Sequence, residues 1–442
     1  WNERIHHECY QANLAVSIQN ECGEPQTVCN YDWMSFNIGP TLFDWMEQHH
    51  PTVVKEVIAA HHRSVERTGH SNAMAQVYHH SILPLADRLD KETEVRWGIA
   101  DYQHRFGCKP EGMWLAETAV DTETLEVMVN AGIKYVVLAA RQAKTVFEEG
   151  SWKSVTEHTV DTSQSYWCNL PSGNRIAVYF YDPNLAMDVA FRGALNNGVD
   201  FAQRIVQRTH SMNNDALLHF ATDGESYGHH HRQGEVALGF CFDRLVSESS
   251  ITLTNYGAYL EHHPPEECVQ IVENSSWSCA HGVERWRDNC GCVIDPAMKG
   301  KQEWRRALRD VLNRLRDITR TLFLEHTHTL IKDPMKLRHD WKSASLSSTE
   351  IEIIEEHSIV SLSTEQVMEI GFWMEQQDLA LKMFTSCGWF FDSNEGIEAQ
   401  QILAYAQALI EHTHKCIEWP FENPILSELN ALLLPSDVEH HN

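Results

Sequence analysis

At 442 residues the chain exceeds what one hydrophobic core ordinarily supports, so two domains are expected. Hydrophobic residues make up 43% and charged residues 22%, an ordinary globular balance. Lys plus Arg number 35 against 62 Asp plus Glu, and the resulting charge of −27 repels nucleic-acid phosphates and anionic membranes, which removes both as partners.

In chain order, strand candidates lie at 27–37, 74–78, 112–117, 133–139, 175–181 and 216–222. Most are followed by amphipathic stretches, such as 122–131 and 235–247. Strand, crossover helix, strand is the signature of a parallel sheet. Polar residues gather just after the strands, which favours a barrel over an open sheet. From about Glu266 the texture changes. Residues 303–325 are helical by spacing, with Leu308, Val311, Leu312, Leu315, Ile318 and Leu322 on one face, and 366–384 and 397–415 read the same way. A (β/α) barrel over 1–265 and an α-helical domain over 266–442 are predicted, with a polar linker or loop at 342–348.

No apolar run is long enough to span a bilayer. Residue 1 is Trp rather than Met, so a truncated start is expected, with a barrel strand or two before it. Twelve cysteines in a chain this size are not a disulfide scaffold. Several, including Cys168, Cys241 and Cys387, sit in strand-like or aromatic contexts and read as reduced, buried thiols of a cytoplasmic protein.

Two strand candidates end on carboxylates. GMWLAET at 112–118 carries Glu117, and HFATDGESYGHHH at 219–231 carries Asp223. In a barrel of parallel strands, side chains at C-terminal strand ends face one shared mouth. Two carboxylates there are the minimum equipment for breaking a glycosidic bond. Glu225 is the rival of Asp223, because in extended backbone it points to the same side. At most two of His229, His230 and His231 reach one point, and His229 is the candidate for a hydrogen bond to sugar or carboxylate. His79 and His80 follow a predicted strand, where one of them is a candidate pocket residue. Trp114 near Glu117, and Trp389 with Asp392 after the helix interruption at Gly388, are candidate sugar contacts through stacking and hydrogen bonding.

GMWLAET and TDGESYGHHH together resemble the nucleophile and acid/base segments of glycoside hydrolase family 57, in the same order. NSSWSCAHGVERWRDNCGC at 274–292 and MFTSCGWFFDSNEGIE at 383–398 resemble the subgroup with a long helical C-terminal region of unassigned function. The family's first motif, a histidine-containing run on the first barrel strand, is absent. The resemblance implies an incomplete (β/α)7 TIM-like barrel and a retaining mechanism on α-linked glucans or oligosaccharides, by hydrolysis or transglycosylation. It implies Glu117 as nucleophile and Asp223 as acid/base, with no metal and no cofactor.

Cys279, His281, Cys290 and Cys292 match none of the usual zinc spacings and read as buried thiols, or as a structural zinc site should the loop fold back. Two other readings stay open. A metal-dependent polysaccharide deacetylase needs an aspartate and two histidines around a divalent ion, and the 27 histidines allow it. A non-catalytic carbohydrate-binding protein needs neither carboxylate. The sugar, the linkage and the oligomeric state are not legible.

Overall fold

The computed structural model describes residues 1–19, 23–343, 349–415, 417, 427 and 428. Of the linker expected at 342–348, residues 344–348 lie outside them. The chain divides into two compact units. One comprises Trp1–Gln76, Arg105–Trp114 and Met128–Val272, the other Val77–His104, Leu115–Val127 and Glu273–Asn442. Two segments from the first half of the chain therefore group with the helical region.

The first unit is mixed α/β. Its strands are β1 (Val16–Gln19), β2 (Pro25–Val28), β3 (Ala75–Gln76), β4 (Met113–Trp114), β5 (Tyr135–Ala139), β6 (Ala143–Glu148), β7 (Ser151–Ser154), β8 (Ser165–Asn169), β9 (Arg175–Tyr181) and β10 (Cys268–Ile271). β1 pairs antiparallel with β2, β3 parallel with β4, and the rest form a six-stranded sheet in the order β5-β9-β8-β10-β6-β7. A parallel series runs through the unit. Phe36 bridges Ala73, β3 pairs with β4, Gly112 bridges Tyr135, and β5 pairs with β9. Beyond β9, the Asp182 amide donates to the His219 carbonyl at 2.9 Å. Every residue of β5 (YVVLA) is buried, as an apolar strand covered on both faces must be.

Several predicted strands are shorter than their patterns. The run at 27–37 breaks after Val28, because Asn30 is buried and its side-chain amide donates to Asn13 Oδ1 (2.7 Å) and the Glu235 carbonyl (2.9 Å). A 3₁₀ turn at Asn30–Asp32 follows, and Phe36 alone resumes the ladder. The run at 216–222 is not a regular strand; it touches the sheet at His219. The hairpin β6–β7 is an addition to the predicted elements. Glu148 pairs with Ser151 across Glu149 (φ 52°) and Gly150 (φ 79°), a two-residue turn with both central residues left-handed. β7 is exposed throughout and β6 buries only Ala143 and Val146, three residues apart, so neither carries the apolar alternation that marks a strand in sequence.

The second unit is built on the three predicted helices, observed at Trp304–Thr327, Thr364–Lys382 and Ile397–His414. Ser363 and Gln366 form a capping box at the start of the second. Leu308, Val311, Leu312 and Leu315 are buried with Met383, Trp389, Ile402, Ala406 and Leu409 in one cluster. A second cluster joins Trp97, Phe323, Leu337 and Trp373. Buried charges explain why 77–104 and 115–127 belong here. Arg338 is 1% exposed, donates to Thr93 Oγ1 (3.0 Å) and Gln377 Oε1 (2.9 Å), and pairs with Asp90. Lys91, equally buried, reaches Asp121 at 2.7 Å and Glu123 at 2.8 Å. A buried cation without such partners costs several kcal/mol, so Arg338 ties 77–104 to the later helical region and Lys91 ties 115–127 to 77–104.

Candidate active site

Glu117 follows β4 by three residues, and the chain reverses there. Glu117 (φ 57°) and Thr118 (φ 52°) are both left-handed, an arrangement that costs on the order of 1–3 kcal/mol per non-glycine residue. The segment 273–278 holds it. The Trp277 amide donates to the Glu117 carbonyl (3.0 Å), Val120 and Ser275 exchange backbone hydrogen bonds (2.9 and 3.2 Å), and the Thr122 amide donates to Glu273 Oε2 (2.9 Å). On the side chain, Trp277 Nε1 (2.8 Å) and Ser278 Oγ (2.5 Å) both donate to Oε2 of Glu117. Oε1 has no hydrogen-bond partner among the described residues. The strain re-aims the half-buried carboxylate, and the two donors hold one oxygen while the other stays open.

Asp223 lies in the first unit, exposed, at the entry of a 3₁₀ turn, Gly224–Ser226. The N-terminal segment organises its loop. Cys9 Sγ donates to the Gly224 carbonyl (3.1 Å), Asn13 Nδ2 to the Tyr227 carbonyl (2.9 Å), and Glu8 Oε2 lies 2.6 Å from His229 Nδ1. Gly228 (φ 129°) is required there, because a Cβ would stand 1.9 Å from the Glu8 carbonyl oxygen. The three histidines diverge as their spacing implies: His229 to Glu8, His230 Nε2 to Glu225 Oε2 at 3.6 Å, His231 Nε2 to the Ala190 carbonyl at 3.0 Å. Burial raises the Glu225 carboxyl above its usual range, the charge of Asp223 adds to the rise, and His230 opposes it.

Trp114 is half-buried at the end of β4. The other predicted site residues have structural employment. The His79 side chain is 1% exposed, with Nδ1 2.9 Å from Glu94 and Nε2 3.3 Å from Asp378. Although burial lowers it, the two carboxylates bring His79 up to about 8, and it serves as a buried cation rather than a pocket wall. His80 Nδ1 lies 2.6 Å from Ser386 Oγ, and burial pushes it down to about 4. Trp389 is 0% exposed, its Nε1 donates to the Met383 carbonyl (3.3 Å), and its ring stacks on Trp304 under the Arg309 guanidinium, which leaves no face for a sugar. Gly388 does not loosen the helix there. It admits Ile402, whose Cγ1 would lie 2.1 Å from an added Cβ. Asp392 is buried, and its Oδ2 accepts from the Ile294 (2.7 Å) and Asp295 (2.8 Å) amides, so the carboxylate braces a loop instead of contacting substrate.

Trp277 and Ser278 were assigned no role in the sequence, although the polar–aromatic run NSSWSC was its one signal. Glu8, Cys9 and Asn13 carried none. Among the described residues, the side chains that converge closely enough for one metal ion are Cys279, His281, Cys290 and Cys292, and no aspartate converges with two histidines as the deacetylase reading needs.

Comparison with known proteins covers both halves of the chain. The model of glycosyl hydrolase family 57 matches residues 2–272, and that of a domain of unknown function (DUF3536) matches 301–441. An α-amylase from Pyrococcus horikoshii is 23% identical over 258 residues, 55% of this chain and 37% of the relative. A 4-α-glucanotransferase from Thermococcus litoralis is 24% identical over 256 residues, 54% of this chain and 35% of the relative. The match spans little more than a third of these relatives' length. The fold is shared with an exo-type maltose-forming amylase from a Pyrococcus species (TM-score 0.66, 17% identity, 94% of this chain and 77% of that one). It is shared also with the crystal structure of a 4-α-glucanotransferase from Thermococcus litoralis (TM-score 0.58, 15% identity, 94% and 57%). Since the first model takes in more than half of the 442 residues, the chain belongs to glycosyl hydrolase family 57.

Proposed function

We propose that this chain is a retaining glycoside hydrolase or transglycosylase acting on α-linked glucans or oligosaccharides, with Glu117 as nucleophile and Asp223 as acid/base. An oxygen of Glu117 attacks the anomeric carbon while the leaving glycosidic oxygen takes the proton of Asp223. Water or a sugar hydroxyl then gives its proton to Asp223, bonds to the anomeric carbon and expels Glu117. The observation that carries this reading is the strained carboxylate of Glu117, anchored through Oε2 and open at Oε1. Trp114 and His229 are the proposed substrate contacts. The scaffold is read as an incomplete seven-stranded barrel contributed by 1–265, of which 77–104 and 115–127 group with the helical region that follows. A cytoplasmic site of action fits the ten described cysteines, none of them in a disulfide, and no helix of the described residues is long and apolar enough to cross a membrane.

The raised carboxyl of Glu225 favours a second assignment of the proton donor. The experiment is incubation with maltooligosaccharides and amylose, with products followed by NMR from the first turnovers. Cleavage or transfer with the anomeric configuration retained is expected. Inverted products, or no reaction on any α-glucan, overturn the proposal.

A further inference from the structure

The loop that follows Ser278 brings together four metal-ligating side chains that are 13 residues apart at most. Cys279 Sγ lies 3.9 Å from Cys290 Sγ and 3.9 Å from Cys292 Sγ, and Cys292 Sγ lies 3.5 Å from His281 Nδ1. All four ligand atoms fall within 4.8 Å of one another. A tetrahedral zinc ion has bonds of about 2.3 Å to sulfur and about 2.0–2.1 Å to nitrogen, so its ligands stand about 3.8 Å apart (S···S) and about 3.5 Å apart (S···N). Cys279 is equidistant from both other sulfurs, so neither pairing is preferred as a disulfide, which needs about 2.05 Å.

The loop is built to hold this geometry. Ser276 Oγ donates to the Gly282 carbonyl (2.6 Å), and the amide of Gly282 (φ 83°) donates to the Cys279 carbonyl (3.2 Å), closing a turn that keeps His281 beside Cys279. Gly291 (φ 84°) turns the chain between Cys290 and Cys292. Asp392 takes the amides of Ile294 and Asp295 just beyond, and Arg285 Nε (3.0 Å) and Arg305 (3.2 Å) both donate to the Phe390 carbonyl. Cys279 is buried, Cys290 and Cys292 are half-buried and His281 is exposed, so an ion has a path in from solvent.

We propose that Cys279, His281, Cys290 and Cys292 bind one structural zinc ion. Three thiolates and an imidazole are the soft donor set that selects zinc, and the thiol protons pass to solvent on binding, with no change of oxidation state. The consequence lies one residue upstream. Ser278 and Trp277, the two donors to Glu117, are the residues one and two before Cys279, and the Ser278 carbonyl accepts from Arg285 (3.3 Å). The ion staples the segment that positions Glu117. That consequence rests on the glycosidase reading; the site itself does not.

The test is metal analysis of the full chain purified from zinc-supplemented culture without chelator. One zinc per chain is expected, and Cys279→Ser and Cys292→Ser should each lose it. Because those variants risk misfolding, cobalt is exchanged into the unaltered protein. An absorption spectrum of tetrahedral cobalt with thiolate charge transfer is expected, and His281→Cys should keep the metal and strengthen the thiolate band. Removal of zinc with a mercurial reagent and chelator should lower the melting temperature, restored by zinc alone, and lower kcat on α-glucan about tenfold with KM nearly unchanged. Absence of zinc, iron in its place, or a cobalt spectrum without thiolate bands overturns the site. Zinc bound with kcat unaffected by its removal leaves the site standing and overturns the link to Glu117.

Discussion

Glu117 is left-handed where a non-glycine residue pays a conformational cost, and that cost is met by hydrogen bonds from Trp277 and Ser278. Each donates to a carboxylate, and loss of such a bond costs about 1.5–3 kcal/mol, or about tenfold to a hundredfold in rate where it orients the reacting group. Ser278→Ala and Trp277→Phe should therefore lower kcat within that range while KM on maltooligosaccharides changes little. A pure KM effect would place both residues at substrate instead. Glu117→Ala should abolish turnover on every substrate. Asp223→Ala should cripple natural glucans far more than activated aryl glycosides, whose leaving group needs no proton. Azide should rescue the Asp223 variant with retained configuration and the Glu117 variant with inverted configuration. If Glu225→Gln rather than Asp223→Ala shows the activated-substrate bypass and loses the alkaline limb of the pH–rate profile, Glu225 is the proton donor.

The elements around Trp389 show how a motif in sequence turns into packing. The run at 383–398 combines glycine, aromatics and an acid, the composition of a binding wall. In the fold Gly388 lets the short helix Cys387–Phe390 approach Ile397–His414, and the Trp389 ring fills the resulting core. Gly388→Ala forces Ile402 to move and should destabilise by about 1–3 kcal/mol, the scale of overpacking. Trp389→Ala leaves a large cavity and should cost about 3–5 kcal/mol. Urea midpoints measure both. Glucan affinity of the remaining folded protein should be unchanged, and a loss of affinity without loss of stability would return Trp389 to the substrate site.

Across the whole molecule, buried histidines set a pH dependence of stability. Burial pushes His61, His80, His219 and His339 down to about 4, from an ordinary value of 6.5. Between those values the unfolded chain binds protons that the folded chain refuses, so stability falls as pH drops from 6.5 towards 4. His79 runs the opposite way. Held at about 8 by Glu94 and Asp378, its contribution is present below 6.5 and lost as pH rises through 8. Urea midpoints followed across this range should peak between the two windows. His80→Gln should flatten the acid limb, and an acid limb unchanged by it would assign the loss to other groups.

Strand and helix placement was legible where burial is a local pattern. The apolar β5 and β9, and the helical face of Leu308, Val311, Leu312 and Leu315, announce themselves because their neighbours in sequence share one environment. The two motifs proposed as catalytic also stand out in sequence, since each carries its carboxylate, turn and glycine within a short run. What tertiary structure decided depends on partners distant in the chain. Trp277 meets Glu117 across 160 residues, Glu8 meets His229 across 221, and His79 meets Asp378 to form a buried ion pair. The same holds for Trp389, whose aromatic ring fits a sugar platform or a core equally well until its neighbours are known. The cysteine–histidine loop is the intermediate case. Its ligands are close in sequence, but only the left-handed turns at Gly282 and Gly291 and the bracing by Asp392 bring four donor atoms to one point.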